Sequence, residues 1–258
     1  MKPSTLFWQY FFGEFNNFQQ CWQQHTQVEM HRVDTDFPHR HLHLEIISLQ
    51  DNGFEMLISD PKTKELISVQ KGYVISPPTD DQKLQVRLEK GQIWNFVLKN
   101  EVFEAVSDGG ECWIVSKNGH QICLQNHFSN DEGVPYRMLK CRFFKGWIEI
   151  PIQEEGQEKT HHFGNLRLHD QGGSIQLKMP DGTLGNYTVE LTQLIFGRKL
   201  PIMKLAIYEL PQNALDYNSY AIAYTWTNPE AERLGINLRY ILSGWTLDEN
   251  HLWNSDQT

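Results

Sequence analysis

Turn signals punctuate this chain from end to end, and they leave room for little but short extended segments. The run Arg40–Leu49 stops at Asp51-Asn52-Gly53, Phe54–Ser59 stops at Asp60-Pro61, and Glu65–Ile75 stops at Ser76-Pro77-Pro78. Leu84–Leu88 stops at Lys90-Gly91, Ile93–Leu98 at Lys99-Asn100, and Glu101–Val106 at Asp108-Gly109-Gly110. Such runs, bounded by Gly, Pro, Asn and Asp, read as strands joined by tight turns. Many short strands at regular spacing point to an antiparallel barrel or sandwich rather than a βαβ fold. The start of the chain differs. Phe7, Tyr10, Phe11, Glu14, Phe15 and Phe18 fall near helical spacing, so residues 6–24 are expected to form one helix or a helix-like lead-in, interrupted at Gly13.

The 258 residues suffice for one large β domain or two small ones with a real core. Pro151–Thr160 is charged and poor in apolar side chains, which sets the expected boundary between residues 1–150 and 151–258. The second half repeats the strand pattern at Ser174–Met179, Asn186–Leu194, Leu200–Tyr208, Tyr220–Thr227 and Asn237–Trp245. Asn228-Pro229-Glu230 reads as an N-cap followed by proline at the first helical position, which predicts a short helix through Arg233.

The densest chemistry lies in Pro38–Ile47. Alternate residues of a strand share a face, so His39, His41, His43 and Glu45 form one row and Arg40, Leu42, Leu44 and Ile46 the other. The apolar row is expected to win a buried face. If it packs outward against a helix or the other half, the histidine row lines the lumen of a barrel, and that arrangement is the expectation. His41 and Glu45 are then the candidate acid–base pair, with His39 and His43 contacting ligand. His39-x-His41-x-x-x-Glu45 also looks like the first metal motif of cupins, although no second motif follows. Exposed histidines on an outer strand are the plain alternative.

The other candidates are scattered. Aromatic residues are abundant, with 8 Trp, 9 Tyr and 14 Phe. Most are expected to fill core, while Trp94, Trp113 and Trp147 are candidates for stacking on a flat ligand at a barrel mouth. Arg137, Arg142 and Arg167 could pair with ligand carboxylates. His161-His162 and His169 form a looser group, and His169-Asp170-Gln171-Gly172-Gly173 reads as a strand end and turn.

Other functional classes find no support. The net charge of −9, without a basic run, argues against nucleic acid or an anionic membrane as partner. The sequence has no Gly-x-Ser-x-Gly, phosphate loop or Gly-x-Gly-x-x-Gly, which removes the usual hydrolase, kinase and dehydrogenase readings. No signal-like stretch and no run of about 18 apolar residues is present, so a soluble cytoplasmic protein with no membrane span is expected. The four cysteines contain no Cys-x-x-Cys, which fits reduced thiols.

Glu111–Phe128 reads as a hairpin around Asn118-Gly119. With a two-residue turn there, Val115 pairs with Ile122 and Trp113 with Leu124, all on a core face. Cys112 and Cys123 become diagonal neighbours, expected to be reduced in a cytoplasmic setting.

Two segments carry a resemblance. Gly13-Glu14-Phe15-Asn16-Asn17-Phe18-Gln19-Gln20 resembles the opening "GEF-N-QQ" helix of the T-type (CpcT/CpeT) phycobilin lyases. Gly110-Glu111-Cys112-Trp113-Ile114-Val115-Ser116-Lys117-Asn118-Gly119 resembles that family's cysteine-bearing hairpin. The resemblance covers residues 7–128. It implies a lipocalin-like (calycin) barrel that holds a linear tetrapyrrole (bilin) and attaches it to a cysteine of a phycobiliprotein. In that chemistry the client thiolate attacks, Glu45 or His41 protonates the pigment, and arginines hold its propionates. The second half suggests a further calycin-like half, as in two-barrel lipocalin-like proteins of cyanobacteria. The expected fold is therefore all-β: an antiparallel lipocalin-like barrel with a second β-rich half and short helices. The expected partners are a planar hydrophobic or tetrapyrrole ligand, a phycobiliprotein subunit and a second copy of the chain. Two enzyme readings stay open beside this one: a calycin-fold cyclase or isomerase using the His/Glu face, and a cupin-like metal-dependent enzyme.

Overall fold

The structure is a computed structural model. It describes residues 3–29, 39–75, 83–106, 112–122, 135–154, 156–179, 181–195, 200–209 and 221–249. The chain is all-β, with two helices among the described residues, and it divides into two compact units, Met1–Cys141 and Arg142–Thr258.

In the first unit, helix α1 (Pro3–Phe11), strand β1 (Gly13–Asn16) and helix α2 (Phe18–Glu29) lead in. The strands that follow are β2 (His43–Ser48), β3 (Gly53–Ser59), β4 (Leu66–Ile75), β5 (Lys83–Leu88), β6 (Ile93–Lys99), β7 (Val102–Val106), β8 (Cys112–Ser116), β9 (Gly119–Ile122) and β10 (Tyr136–Lys140). Each pairs with its neighbour in sequence, and β1 pairs with both β2 and β10, closing an antiparallel barrel. This explains why the single helix expected over 6–24 is two. The four residues Gly13–Asn16 are the strand that seals the barrel, and the hydrogen bonds of two neighbours outweigh helical spacing there.

The barrel is filled from within. Phe7 and Phe11 of α1 stack at 4.9 Å and reach Phe96 (5.2 Å), Phe103 (5.0 Å), Phe54 (5.1 Å) and Trp113 (5.5 Å). All six are fully buried. Burying side chains of this size contributes roughly 2–3 kcal/mol each, so the helix is part of the barrel's core. Two barrel side chains cap the helix end. Lys140 Nζ donates to the Gln9 carbonyl at 2.7 Å and His120 Nε2 donates to the Phe11 carbonyl at 3.1 Å.

The hairpin between β8 and β9 keeps the expected face but not the expected register. Trp113 pairs with Ile122 and Val115 with His120, two residues off the expected pairing, so the turn is Lys117-Asn118. A two-residue shift preserves alternation, and Trp113, Val115 and Ile122 are buried as expected. Gly119 is not a turn residue. A Cβ there would lie 2.1 Å from the Met138 carbonyl oxygen, and its φ is +138°. Close approach of β10 therefore fixes both the glycine and the register. Cys112 lies half-buried on β8, and Cys123 and Leu124 lie outside the described residues.

The second unit contains β11 (Phe143–Glu154), β12 (Gln157–His169), β13 (Gln171–Lys178), β14 (Leu184–Leu194), β15 (Ile202–Glu209), β16 (Ala221–Thr227), β17 (Arg233–Asn237) and β18 (Leu242–Leu247). They form two four-stranded sheets, β12-β11-β18-β17 and β13-β14-β15-β16, around one core that takes Phe144, Ile148 and Trp245 from the first and Val189, Leu205 and Ile207 from the second. The meander ends where it began, with β18 paired to β11.

Three expectations change here. The division falls at Cys141/Arg142, and the charged run around 151–160 is the far end of the long β11–β12 hairpin, where solvent accepts charge. Asn228–Glu230 forms a turn, not a helix: Asn228 Oδ1 accepts the Glu230 N–H at 2.8 Å and β17 begins at Arg233. Asn237–Trp245, expected as one strand, holds the end of β17, a turn and the start of β18.

Candidate ligand-binding site

The histidine row takes the opposite side from the one expected. Leu42, Leu44 and Ile46 belong to the barrel core with Phe11 and Phe15, and the histidines and Glu45 alternate to the other face. The expectation that His41 lines a lumen is corrected: α1 supplies the aromatic rings that leave the inner face to the apolar row.

Each expected site residue then has its own setting. His41 Nε2 lies 2.9 Å from Asn16 Oδ1, and its ring meets Phe18 edge-on at 5.7 Å. Burial pushes its pKa down to about 4, with the Asp60 charge pulling the other way. His43 lies 3.2 Å from Glu14, and Glu45 sits directly opposite Glu14 across β1 and β2. His39 is buried, its ring nitrogens meeting the amides of Gln24 (2.6 Å) and Gln20 (3.4 Å), edge-on to Tyr136. Trp94 is core, edge-on to Trp113 at 5.6 Å. Arg137 donates to Gln23 at 2.7 Å. Arg142 belongs to the second unit, where it donates to the carbonyls of Pro229 and Ala231 and pins the turn before β17.

The segment that carries the resemblance has a structural account as well. Asn16 Oδ1 accepts the Phe18 N–H at 2.7 Å at the start of α2, and Asn17 exchanges bonds with Leu42 N–H (2.7 Å) and the Arg40 carbonyl (2.8 Å). Gln20 ties α2 to β10 through the Pro135 carbonyl and the Arg137 N–H, 3.0 Å each.

The second unit provides a cleft of about 820 Å³ over the sheet β12-β11-β18-β17. Its centre is a reciprocal pair. Gly146-Trp147 on β11 meets Gly244-Trp245 on β18, so that Gly146 faces Trp245 and Trp147 faces Gly244. Trp245 packs inward over Gly146 and is buried; a Cβ on Gly146 would lie 2.3 Å from its ring. Trp147 packs outward over Gly244, 38% exposed. Across β12 a bulge at Gly164-Asn165 bends the strand, which re-aims the neighbouring side chains.

The rim is polar. His162 stacks on Trp147 at 5.8 Å and its Nδ1 lies 3.2 Å from Glu149. Lys145, Arg167, Arg233 and Thr246 also line the cleft, as do Leu166 and Leu234. Such a surface can hold a flat ring on an indole face and a polar group beside it. Of these residues the sequence reading reached Trp147, Arg167 and His162, and it missed Lys145, Arg233 and Trp245. The available signal was the Gly-Trp dipeptide, which recurs at 146 and 244.

No protein-family model, curated protein or solved structure matches this chain. No described helix is long and apolar enough to cross a membrane.

Proposed function

We propose that this protein binds a flat, conjugated, largely apolar ligand in the cleft of its second unit. The ligand class implied by the resemblance to T-type phycobilin lyases is a linear tetrapyrrole, which the protein would carry as a chaperone or deliver to a phycobiliprotein cysteine. The observation that carries this reading is the partly exposed Trp147 indole standing over a side-chain-free floor at Gly244, in an open cleft. The barrel of the first unit supports it by contrast, because α1 already occupies that interior with Phe7 and Phe11. A ring stacked on tryptophan gains dispersion and excludes water from both faces, and exposed apolar surface of this kind commonly marks a ligand groove.

Titration with phycocyanobilin, followed by visible absorbance, tests the reading. A saturable spectral shift in the wild type that weakens strongly in Trp147→Ala supports it. An unchanged pigment spectrum at saturating protein defeats it. Delivery is a separate step, read as pigment that stays on an apo-phycobiliprotein subunit after denaturation.

A further inference from the structure

We infer that the cleft selects flat ligands carrying an anionic group, and that Arg233 receives that group. The inference rests on the proposal that the cleft is the ligand site.

Three cations share one row across the sheet. Lys145 lies directly opposite Arg167 on one side and Thr246 on the other, and Thr246 lies opposite Arg233. Three strand gaps of about 4.8 Å make the row roughly 14 Å long at the backbone. Trp147 follows Lys145 two residues on, on the same strand face and roughly 6.7 Å farther along. In a chain of net charge −9, this row reverses the local sign.

The three cations differ in what already holds them. Asp248 takes Lys145 Nζ at 2.8 Å and lies 3.9 Å from Arg167 Nε. Arg167 also lies over the Phe143 ring at 4.1 Å. Arg233, exposed on β17, has no carboxylate within ion-pair distance among the described residues. Its guanidinium can therefore take a carboxylate or sulfonate as a bidentate partner, with Lys145 and Arg167 adding field from positions Asp248 fixes. Ring on Trp147 and acid on Arg233 is one orientation, so the two contacts together discriminate among flat molecules by charge.

Two fluorescent probes separate the parts: 1-anilinonaphthalene-8-sulfonate and N-phenyl-1-naphthylamine, which share a ring system and differ in the sulfonate. The full-length protein is titrated with each. The inference expects the sulfonate to bind roughly tenfold tighter than the neutral amine. Arg233→Gln should remove most of that advantage and leave the neutral probe unchanged, and Trp147→Ala should weaken both. Added salt should weaken the sulfonate alone. Arg233 is exposed, and an unchanged melting temperature confirms that the variant folds. Equal affinities for the two probes, or sulfonate binding indifferent to Arg233→Gln, overturns the anion preference while leaving the cleft as the site. Binding of neither probe overturns both.

Discussion

The indole N–H of Trp113 donates to Nδ1 of His120 across 2.9 Å, both side chains fully enclosed by the barrel. That bond leaves the ring's remaining proton on Nε2, where it reaches the Phe11 carbonyl at the end of α1. A neutral imidazole is thus used as a two-ended strut between helix and barrel.

A pH dependence follows. Burial pushes His120 down to about 3, and His41 down to about 4. An unfolded histidine titrates near 6.5. Between those values the unfolded chain takes up protons that the folded barrel refuses, so stability is full above about 6.5 and is lost as the pH falls. Each group contributes a slope on the order of 1.4 kcal/mol per pH unit within its window. Urea unfolding between pH 7 and 4 should show this, and His120→Gln, which keeps an amide donor for Phe11, should lower the acid slope by about one proton. An unchanged slope in that variant would remove His120 from the account.

Asp170 of the second unit has the opposite sign. It is buried, it accepts the Arg142 N–H at 3.0 Å and the Gln193 amide at 2.6 Å, and burial raises its pKa to about 6. The folded unit keeps a proton that the unfolded chain releases near 3.9. Its contribution is therefore present below about 4 and lost as the pH rises through 6. Asp170→Asn should abolish that component of the pH dependence while leaving the histidine component intact. A variant titrating like the wild type between pH 4 and 6 would rule this out.

How much of this was legible depended on whether local pattern and long-range pairing agreed. Strand alternation gave the buried row Leu42, Leu44 and Ile46 and the core faces of Trp113 and Val115, because burial follows a period of two whatever the topology. The sequence could not say that α1 enters the barrel. That depends on how Phe7 and Phe11 fit between Phe54, Phe96 and Phe103, which no local spacing encodes. Alternation alone leaves either row free to face the interior, and the helix decides for Leu42, Leu44 and Ile46. The cleft was missed for a related reason: Gly146-Trp147 and Gly244-Trp245 have meaning only once β11 and β18, the first and last strands of their unit, are paired.

Gly119 offers a direct test of the hairpin register. A methyl group at this position meets the Met138 carbonyl oxygen at 2.1 Å and the Leu139 Cα at 2.9 Å, both backbone atoms, at a φ of +138°. Neither neighbour can rotate away. Gly119→Ala should destabilise the first unit by roughly 3 kcal/mol or more, read as a lower melting temperature. Gly91→Ala, where a Cβ meets nothing within 4 Å despite a φ of +90°, isolates the backbone strain alone and should cost only about 1 kcal/mol. Equal losses in the two variants would place the effect in φ and not in the approach of β10.

The reciprocal glycines separate folding from binding. At Gly146 an added methyl lies 2.3 Å from the Trp245 ring and 2.6 Å from the Gly244 carbonyl oxygen, inside the unit. At Gly244 it lies 2.9 Å from Trp147 Nε1, and its three nearest atoms all belong to that side chain, which is exposed and can turn aside. Overpacking a buried ring costs roughly 1–3 kcal/mol, whereas a surface ring relieves the same clash by rotating. Gly146→Ala should therefore lower the melting temperature, and Trp245→Leu should recover part of that loss in the double variant. Gly244→Ala should leave the melting temperature within about a degree or two of the wild type, yet weaken binding of the naphthylamine probe several-fold by tilting Trp147 out of the cleft. A Gly244→Ala protein that binds the probe as tightly as the wild type would show that the Trp147 face is not where the ring rests.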